Sequence, residues 1–132
     1  MIIAIDLDNT ISDAPEFFSV VATALVDAGH EVHIITYREV GTHDDVRAEL
    51  REFGIRYTQL HLPQSDCSAP EWKAELAVKL GVDVMIEDSP EVLSRMPSTV
   101  RRLWLCDATV FNLDTCVRVL RGELVALQPN ET

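Results

Sequence analysis

The sequence predicts an α/β domain, a doubly wound sheet of about five parallel strands with helices on both faces. Two observations carry that expectation. One pattern recurs three times, in which an amphipathic stretch ends at a glycine and an apolar run follows: Gly29 to Thr36, Gly54 to Leu62 and Gly81 to Asp88. The repeat of about 25 residues is the length of one helix plus one strand. In addition, Ile2-Ile3-Ala4-Ile5 and Val84-Met85-Ile86 are continuously apolar, which suits parallel strands covered on both faces better than an alternating, half-wet strand.

The elements follow in order. The first strand is expected over 2–6. Asp13 and Glu16 have capping-box spacing, and Pro15 stands just inside the start of a helix over 14–28. Gly29 ends that helix, and a strand over 31–36 follows. Thr42 with Asp45 opens a helix over 43–53, ended by Gly54 before a strand over 56–62. Ser68 with Glu71, and Pro70 between them, open a helix over 69–80; Gly81 ends it before a strand over 83–87. Ser89-Pro90 starts a helix over 90–95, and a strand over 100–106 completes the sheet. From Asn112 to Thr132 the pattern supports one short helix near 113–121. Residues 1–132 read as a single Rossmann-like domain with no linker and no low-complexity tract.

Composition narrows the function. Apolar residues make up 47% and charged residues 25%, the proportions of a globular domain. With 22 acidic against 11 basic side chains the formal charge is −11, so the average field repels long nucleic acids and anionic membrane surfaces. A small anionic substrate stays compatible if a divalent cation inverts the field locally. Asp6 interrupts the opening apolar run before it reaches the length of a signal-peptide core, and no run of about 18 apolar residues exists, so a cytoplasmic protein is expected. Cys67, Cys106 and Cys116 lack a zinc or disulfide spacing and read as reduced thiols.

In open α/β sheets ligands bind outside the carboxyl ends of the strands. Those ends are polar here: Asp6-Leu7-Asp8-Asn9-Thr10 after the first strand, Thr36-Tyr37-Arg38 after the second, Glu87-Asp88-Ser89 after the fourth. Lys73 lies in the first two turns of the helix before strand four. Four acids cannot share a small volume ionised without a compensating cation or proton, and hard oxygen ligands favour Mg²⁺. Such a set suits phosphoryl transfer. Asp6 can attack phosphorus, Asp8 can protonate the leaving oxygen and then activate water, and Lys73 with Thr36 can hold the equatorial oxygens. Lys79 competes with Lys73, but a six-residue offset turns it to another helix face. The plainer alternatives are a capped turn for Asp6, Asp8 and Asn9, and an ordinary strand residue for Thr36. His30, His33, His43 and His61 share no ligand spacing, and Trp72 and Trp104 read as packing residues.

The order D-x-D-N-T, a Thr closing the second strand, a Lys, and I-E-D-S before a helix resembles the four motifs of the haloacid dehalogenase superfamily over residues 1–106. The resemblance implies that Asp6 is the nucleophile of an aspartyl-phosphate and Asp8 the general acid and base. It makes Thr36 and Lys73, with Asn9 and Arg38, the phosphate-binding set, and places Mg²⁺ on the Asp6 carboxylate, the Asp8 carbonyl and the pair Glu87/Asp88. Arg38 stands in a T-x-R arrangement similar to that of nucleotidase-like branches; a solvated surface arginine is the alternative. Many relatives have Asp-Asp or Gly-Asp at the fourth motif, so which of Glu87 and Asp88 binds metal directly stays open.

Substrate choice in that superfamily usually lies in cap insertions. Only Leu7 to Asp13 and Pro63 to Cys67 fill the two insertion slots, so the chain resembles the capless branch, whose open sites admit bulky substrates or borrow a lid from a neighbouring subunit in a homo-oligomer. The expected substrate is a small phosphomonoester, a nucleotide among the candidates, or a phosphoprotein. A response-regulator receiver is disfavoured because its acceptor Asp follows strand three, which here ends in Leu60-His61-Leu62-Pro63. A carbon-directed dehalogenase is disfavoured by Asp8. The remaining competitor is a noncatalytic phosphate- or phosphoprotein-binding module that keeps the same residues.

Overall fold

The computed structural model describes residues 1–106 and 121–122. Strands β1 (Ile2–Ile5), β2 (Glu31–Ile35), β3 (Gln59–His61), β4 (Val84–Glu87) and β5 (Arg101–Trp104) form one sheet in the order β3-β2-β1-β4-β5, with every neighbouring pair parallel. Helices α1 (Pro15–Asp27), α2 (His43–Glu52), α3 (Ala69–Leu80) and α4 (Pro90–Arg95) alternate with the strands, as the sequence predicts. The segments after β1 and β3 hold no inserted cap domain. Among the described residues no helix is long and apolar enough to cross a membrane.

Successive strand residues point to opposite faces, and the two cores divide accordingly. Ile3, Ile5, Val32 and Ile34 pack with Phe18 and Ala22 of α1 and Val46 and Leu50 of α2. Ala4, Ile35 and Met85 belong to the second core, with Ala77 of α3 and Val92 and Leu93 of α4. The chain thus winds outward through β3 on one face, then returns to the sheet centre on the other. That reversal leaves a crevice between β1 and β4, the switch point where such sheets bind ligands. Register brings Ile5 opposite both Ile34 and Ile86. Asp6 and Glu87 therefore leave the sheet side by side, and the Asp6 N–H still donates to the Ile86 carbonyl at 3.0 Å.

Boundaries differ from expectation where side chains replace backbone. β3 spans Gln59–His61 and not 56–62, because the Thr58 hydroxyl oxygen, in place of a carbonyl, accepts the Val32 N–H at 3.0 Å. β5 covers Arg101–Trp104 and not 100–106, since the Val100 N–H turns back to the Pro97 carbonyl at 3.0 Å. The expected capping boxes are corrected too. Ala14, not Asp13, is the N-cap of α1, Ser68 makes no side-chain cap, and the Thr42 hydroxyl donates to the Glu39 carbonyl at 2.7 Å. Ser89 alone caps its helix, accepting the Val92 N–H at 3.4 Å. Prolines in the first turn serve α1, α3 and α4, where a missing N–H costs nothing. The helix expected near 113–121 and Cys116 lie outside the described residues, residue 121 apart.

Gly81 closes α3 at φ 71, with the Val82 N–H donating to the Ala77 carbonyl at 3.0 Å. A Cβ there would meet nothing within 4 Å, so only backbone strain opposes substitution. Gly81→Ala should lower stability by about 1–2 kcal/mol. A urea titration checks this as a lower midpoint with an unchanged slope; an unaltered midpoint would contradict the left-handed assignment.

Candidate active site

The site begins where β1 stops. Asp6 and Asp8 are extended (ψ 155 and 130), while Asn9 takes a left-handed φ of 59, which Asn tolerates better than most side chains. The broad turn Leu7–Ile11 closes through the Ser12 N–H, which donates to the Leu7 carbonyl at 3.0 Å, and the Asn9 N–H donates to Ser12 Oγ at 2.9 Å. Leu7 and Ile11 are buried in the first core and anchor the turn from below. Asp6, Asp8 and Asn9 are left lining a cleft of about 280 Å³ shared with Lys73, Glu87 and Asp88.

Lys73 reaches this cleft from the second turn of α3. Its ammonium is buried and donates to Asp6 Oδ1 at 2.7 Å and to Glu87 Oε2 at 2.8 Å. Lys79 is exposed and borders a different hollow, so the helix-face reasoning holds. Carboxylate oxygens of Asp6, Glu87 and Asp88 lie within 4.8 Å of one another, close enough to share one cation. The two strand-four acids differ in how committed they are. Glu87 Oε1 accepts the N–H groups of Asp88 and Ser89 at 3.1 and 3.2 Å, and its other oxygen is taken by Lys73. Asp88 Oδ1 accepts the Thr10 hydroxyl at 3.3 Å, and its carboxyl also lies against those of Asp6 and Glu87. Thr10 also lies 3.2 Å from Asp6 Oδ2, so one hydroxyl hydrogen serves two carboxylates.

Burial dominates the electrostatics. It raises Asp6 above the usual carboxylate range despite the neighbouring Lys73. It pushes Glu87 up to about 9, with Lys73 opposing and Asp6 adding to the rise. For Lys73 burial works downward, but Asp6 and Glu87 outweigh it and hold the ammonium above its ordinary value. One buried cation thus stands against two buried acids, an imbalance that favours a proton on the Asp6/Glu87 pair.

The other predicted residues are distributed unequally. Asp8 takes a two-pronged bond from Arg38, Nε to Oδ2 and Nη2 to Oδ1, each 2.7 Å. Arg38 also pairs with Glu49 of α2 at 3.1 Å, and bonding to Asp8 holds its guanidinium above even its ordinary pKa. Arg38 is therefore spent on two carboxylates. Thr36 is buried, and its hydroxyl is a buried side-chain oxygen with no partner among the described residues; it does not line the cleft. Sequence reasoning missed three contributors. Thr10 lay inside the quoted motif without a role, and Tyr37 lay between two assigned residues. Trp104 does more than pack: its indole N–H donates to the Asp88 carbonyl at 2.9 Å. The histidines behave as structural groups; His33 is buried and bonded to His61 at 2.9 Å and Glu31 at 3.2 Å.

A larger hollow of about 480 Å³ runs along α3 between Trp72 and Lys79. It gathers no cluster of ligating groups, so chemistry and not size assigns the site to the smaller cleft. No protein-family model matches the chain, and no curated protein resembles it closely enough to count as a match.

The raised acids imply a sign for stability against pH. Between the ordinary carboxylate range and about 9, folded Glu87 holds a proton that the unfolded chain has released. The unfolded state then binds fewer protons than the native state, so stability falls as pH rises through that window. His61, lowered by burial, pulls the opposite way at the acid end of the window. Melting of chelator-treated protein should fall by several degrees relative to Glu87→Gln between roughly pH 5.5 and 8.5. Parallel curves for the two proteins would refute the retained proton.

Proposed function

We propose that the protein is a Mg²⁺-dependent phosphatase that hydrolyses a small phosphomonoester through an aspartyl-phosphate on Asp6, as the haloacid dehalogenase-like motifs imply. The observation that carries this reading is the convergence of Asp6, Glu87 and Asp88 around one cation-sized position, with the buried Lys73 ammonium against two of them.

The donor set fits Mg²⁺: hard carboxylate oxygens, few in number, leaving room for water and phosphate oxygens. Asp6 would bind it directly, as the resemblance implies; of the strand-four pair Asp88, which accepts one hydroxyl, would join it, and Glu87, which accepts three N–H bonds, would support them from behind through Lys73 and the backbone of its own loop. When bound, the cation neutralises charge on the phosphoryl oxygens.

The remaining work falls to side chains. A carboxylate oxygen of Asp6 forms a bond to phosphorus while the bond from phosphorus to the leaving oxygen breaks. Asp8 gives that oxygen a proton and later takes one from the attacking water, which requires Arg38 to release one of the two Asp8 oxygens that it holds. Water displaces Asp6 from phosphorus, releasing inorganic phosphate and restoring the carboxylate. Lys73 stays charged throughout and offsets the negative charge gathered beside it. The Thr36 hydroxyl, which has no partner among the described residues, does not line the cleft and would reach a phosphoryl oxygen only if the tip of β2 moved. Arg38, already engaged, orients Asp8 and is not a phosphate ligand in this scheme.

Phosphate release from a panel of phosphomonoesters should require Mg²⁺, stop with chelator, and not be restored by Ca²⁺, whose looser geometry spoils in-line attack. Turnover that persists in chelator would remove the metal from the proposal. Asp6→Asn should fold, yet lose about 10³-fold or more in rate and show no phosphoenzyme by mass spectrometry after brief exposure to substrate. Wild-type turnover by that variant would end the aspartyl-phosphate mechanism, whereas no phosphate release by the wild type from any ester would leave a binding module in its place. In calorimetric titrations Asp88→Ala should abolish measurable Mg²⁺ binding, whereas Glu87→Gln should weaken it by roughly 10- to 100-fold; the reverse order would exchange their roles.

A further inference from the structure

Tyr37 follows Thr36 at the tip of β2 and is 44% exposed, although it lies beside the buried acids of the cleft. An aromatic ring left open there is not explained by packing. Its position is nevertheless fixed. The phenol hydroxyl donates to the Cys67 carbonyl, and the Trp72 ring of α3 stands 6.2 Å away at an interplanar angle of 57°. The ring is thus tethered at its tip and braced on one side, a platform whose ordering has been settled before any ligand arrives.

Tyr37 also lines a second hollow of about 350 Å³, with Val40 and Pro63 among its walls. The two hollows are joined by the Asp8–Arg38 pair as well, since Asp8 lines one and Arg38 the other. The cleft alone, at about 280 Å³, is below the usual size of a small-molecule site, while the two together fall well within it. A substrate with its phosphate at Asp6 would therefore extend across Tyr37 into the second hollow.

Charge restricts what can extend. The described side chains lining the cleft include Asp6, Asp8, Glu87, Asp88 and Glu91 against the single cation Lys73. The second hollow adds Glu39 and Asp66, and its Arg38 is already bonded to Asp8 and Glu49. No described cation near Tyr37 is free to hold a second phosphate.

Resting on the phosphatase reading, we infer that the substrate is a monophosphate whose uncharged remainder carries a flat aromatic ring, stacked on Tyr37. Tyr37 is then the specificity-determining residue, and polyphosphates and bisphosphates are excluded by charge.

Nonhydrolysable phosphonates test the ring independently of turnover. In the presence of Mg²⁺, benzylphosphonate should bind about three- to tenfold more tightly than cyclohexylmethylphosphonate, the preference an aromatic pair adds beyond buried area. The two share a headgroup and differ in aromaticity. Tyr37→Phe should keep the preference and Tyr37→Leu, which preserves apolar bulk, should lose it. Equal affinities in the wild type, or no binding of either, would overturn the inference. So would equal kcat/KM for a nucleoside 5′-monophosphate and its 3′,5′-bisphosphate, which share leaving group and base. Equal phosphonate affinities accompanied by Mg²⁺-dependent phosphate release would overturn the ring platform alone. A ring preference without phosphate release from any ester would leave the platform standing and defeat the phosphatase reading.

Discussion

The ammonium of Lys73 sits out of water between Asp6 and Glu87, and through it α3, β1 and β4 are held to one another at a single point. Removing an ammonium from water costs several kcal/mol even after relaxation, so the arrangement persists only because both contacts are short and the carboxylates are otherwise well bonded. Each constraint leads to the next. β4 must neighbour β1 for Glu87 to stand beside Asp6, and α3 must cover the second face for a lysine in its second turn to reach them. The interaction also sets the charge state of the site, since one cation for two acids leaves the pair short of compensation by one charge. A bound divalent ion would supply what is missing.

Asp6 and Asp8 are two residues apart yet live in different electrostatic surroundings. Asp6 is buried against an ammonium and a second acid; Asp8 is half-exposed and gripped by a guanidinium. Leu7, buried between them in the first core, anchors the stretch of backbone that carries both acids. Chemistry that needs one carboxylate as nucleophile and another as proton carrier benefits from such separation. The Arg38 grip also ties Asp8 to α2 through Glu49, so the orientation of one acid is anchored in a helix on the opposite side of the sheet from Lys73.

Much of this was legible before any coordinates. The alternation of strand and helix follows from the glycine-terminated repeats, because a left-handed residue at a helix end and an unbroken apolar run are local features that tertiary contacts rarely override. The polar strand tips were legible for the same reason: Asp6, Glu87 and Asp88 follow apolar runs and mark where the strands end. What could not be read depends on distance in space. Capping-box spacing at Thr42 and Ser68 marks the right places for helices to begin, but which backbone group a hydroxyl finds is decided by the loop around it. Nothing in T-x-R says that the arginine will close on Asp8, thirty residues earlier. The Thr10 bridge and the Trp104 indole likewise became visible only once β1, β4 and β5 lay side by side.

The indole bond has a bearing on how the protein is made. Trp104 is on the last strand to leave the ribosome among those described, and it fastens the carbonyl of Asp88; the next N–H, from Leu105, fastens the carbonyl of Glu87 at 3.0 Å. Every motif residue has been synthesised by position 89, yet the loop that carries two of the acids has no support on its outer flank until β5 docks. A nascent chain stopped between α4 and β5 would hold the full complement of acids with half of their scaffold. The acid cluster is therefore fully supported only late in translation, by a strand whose own side chains do not line the cleft.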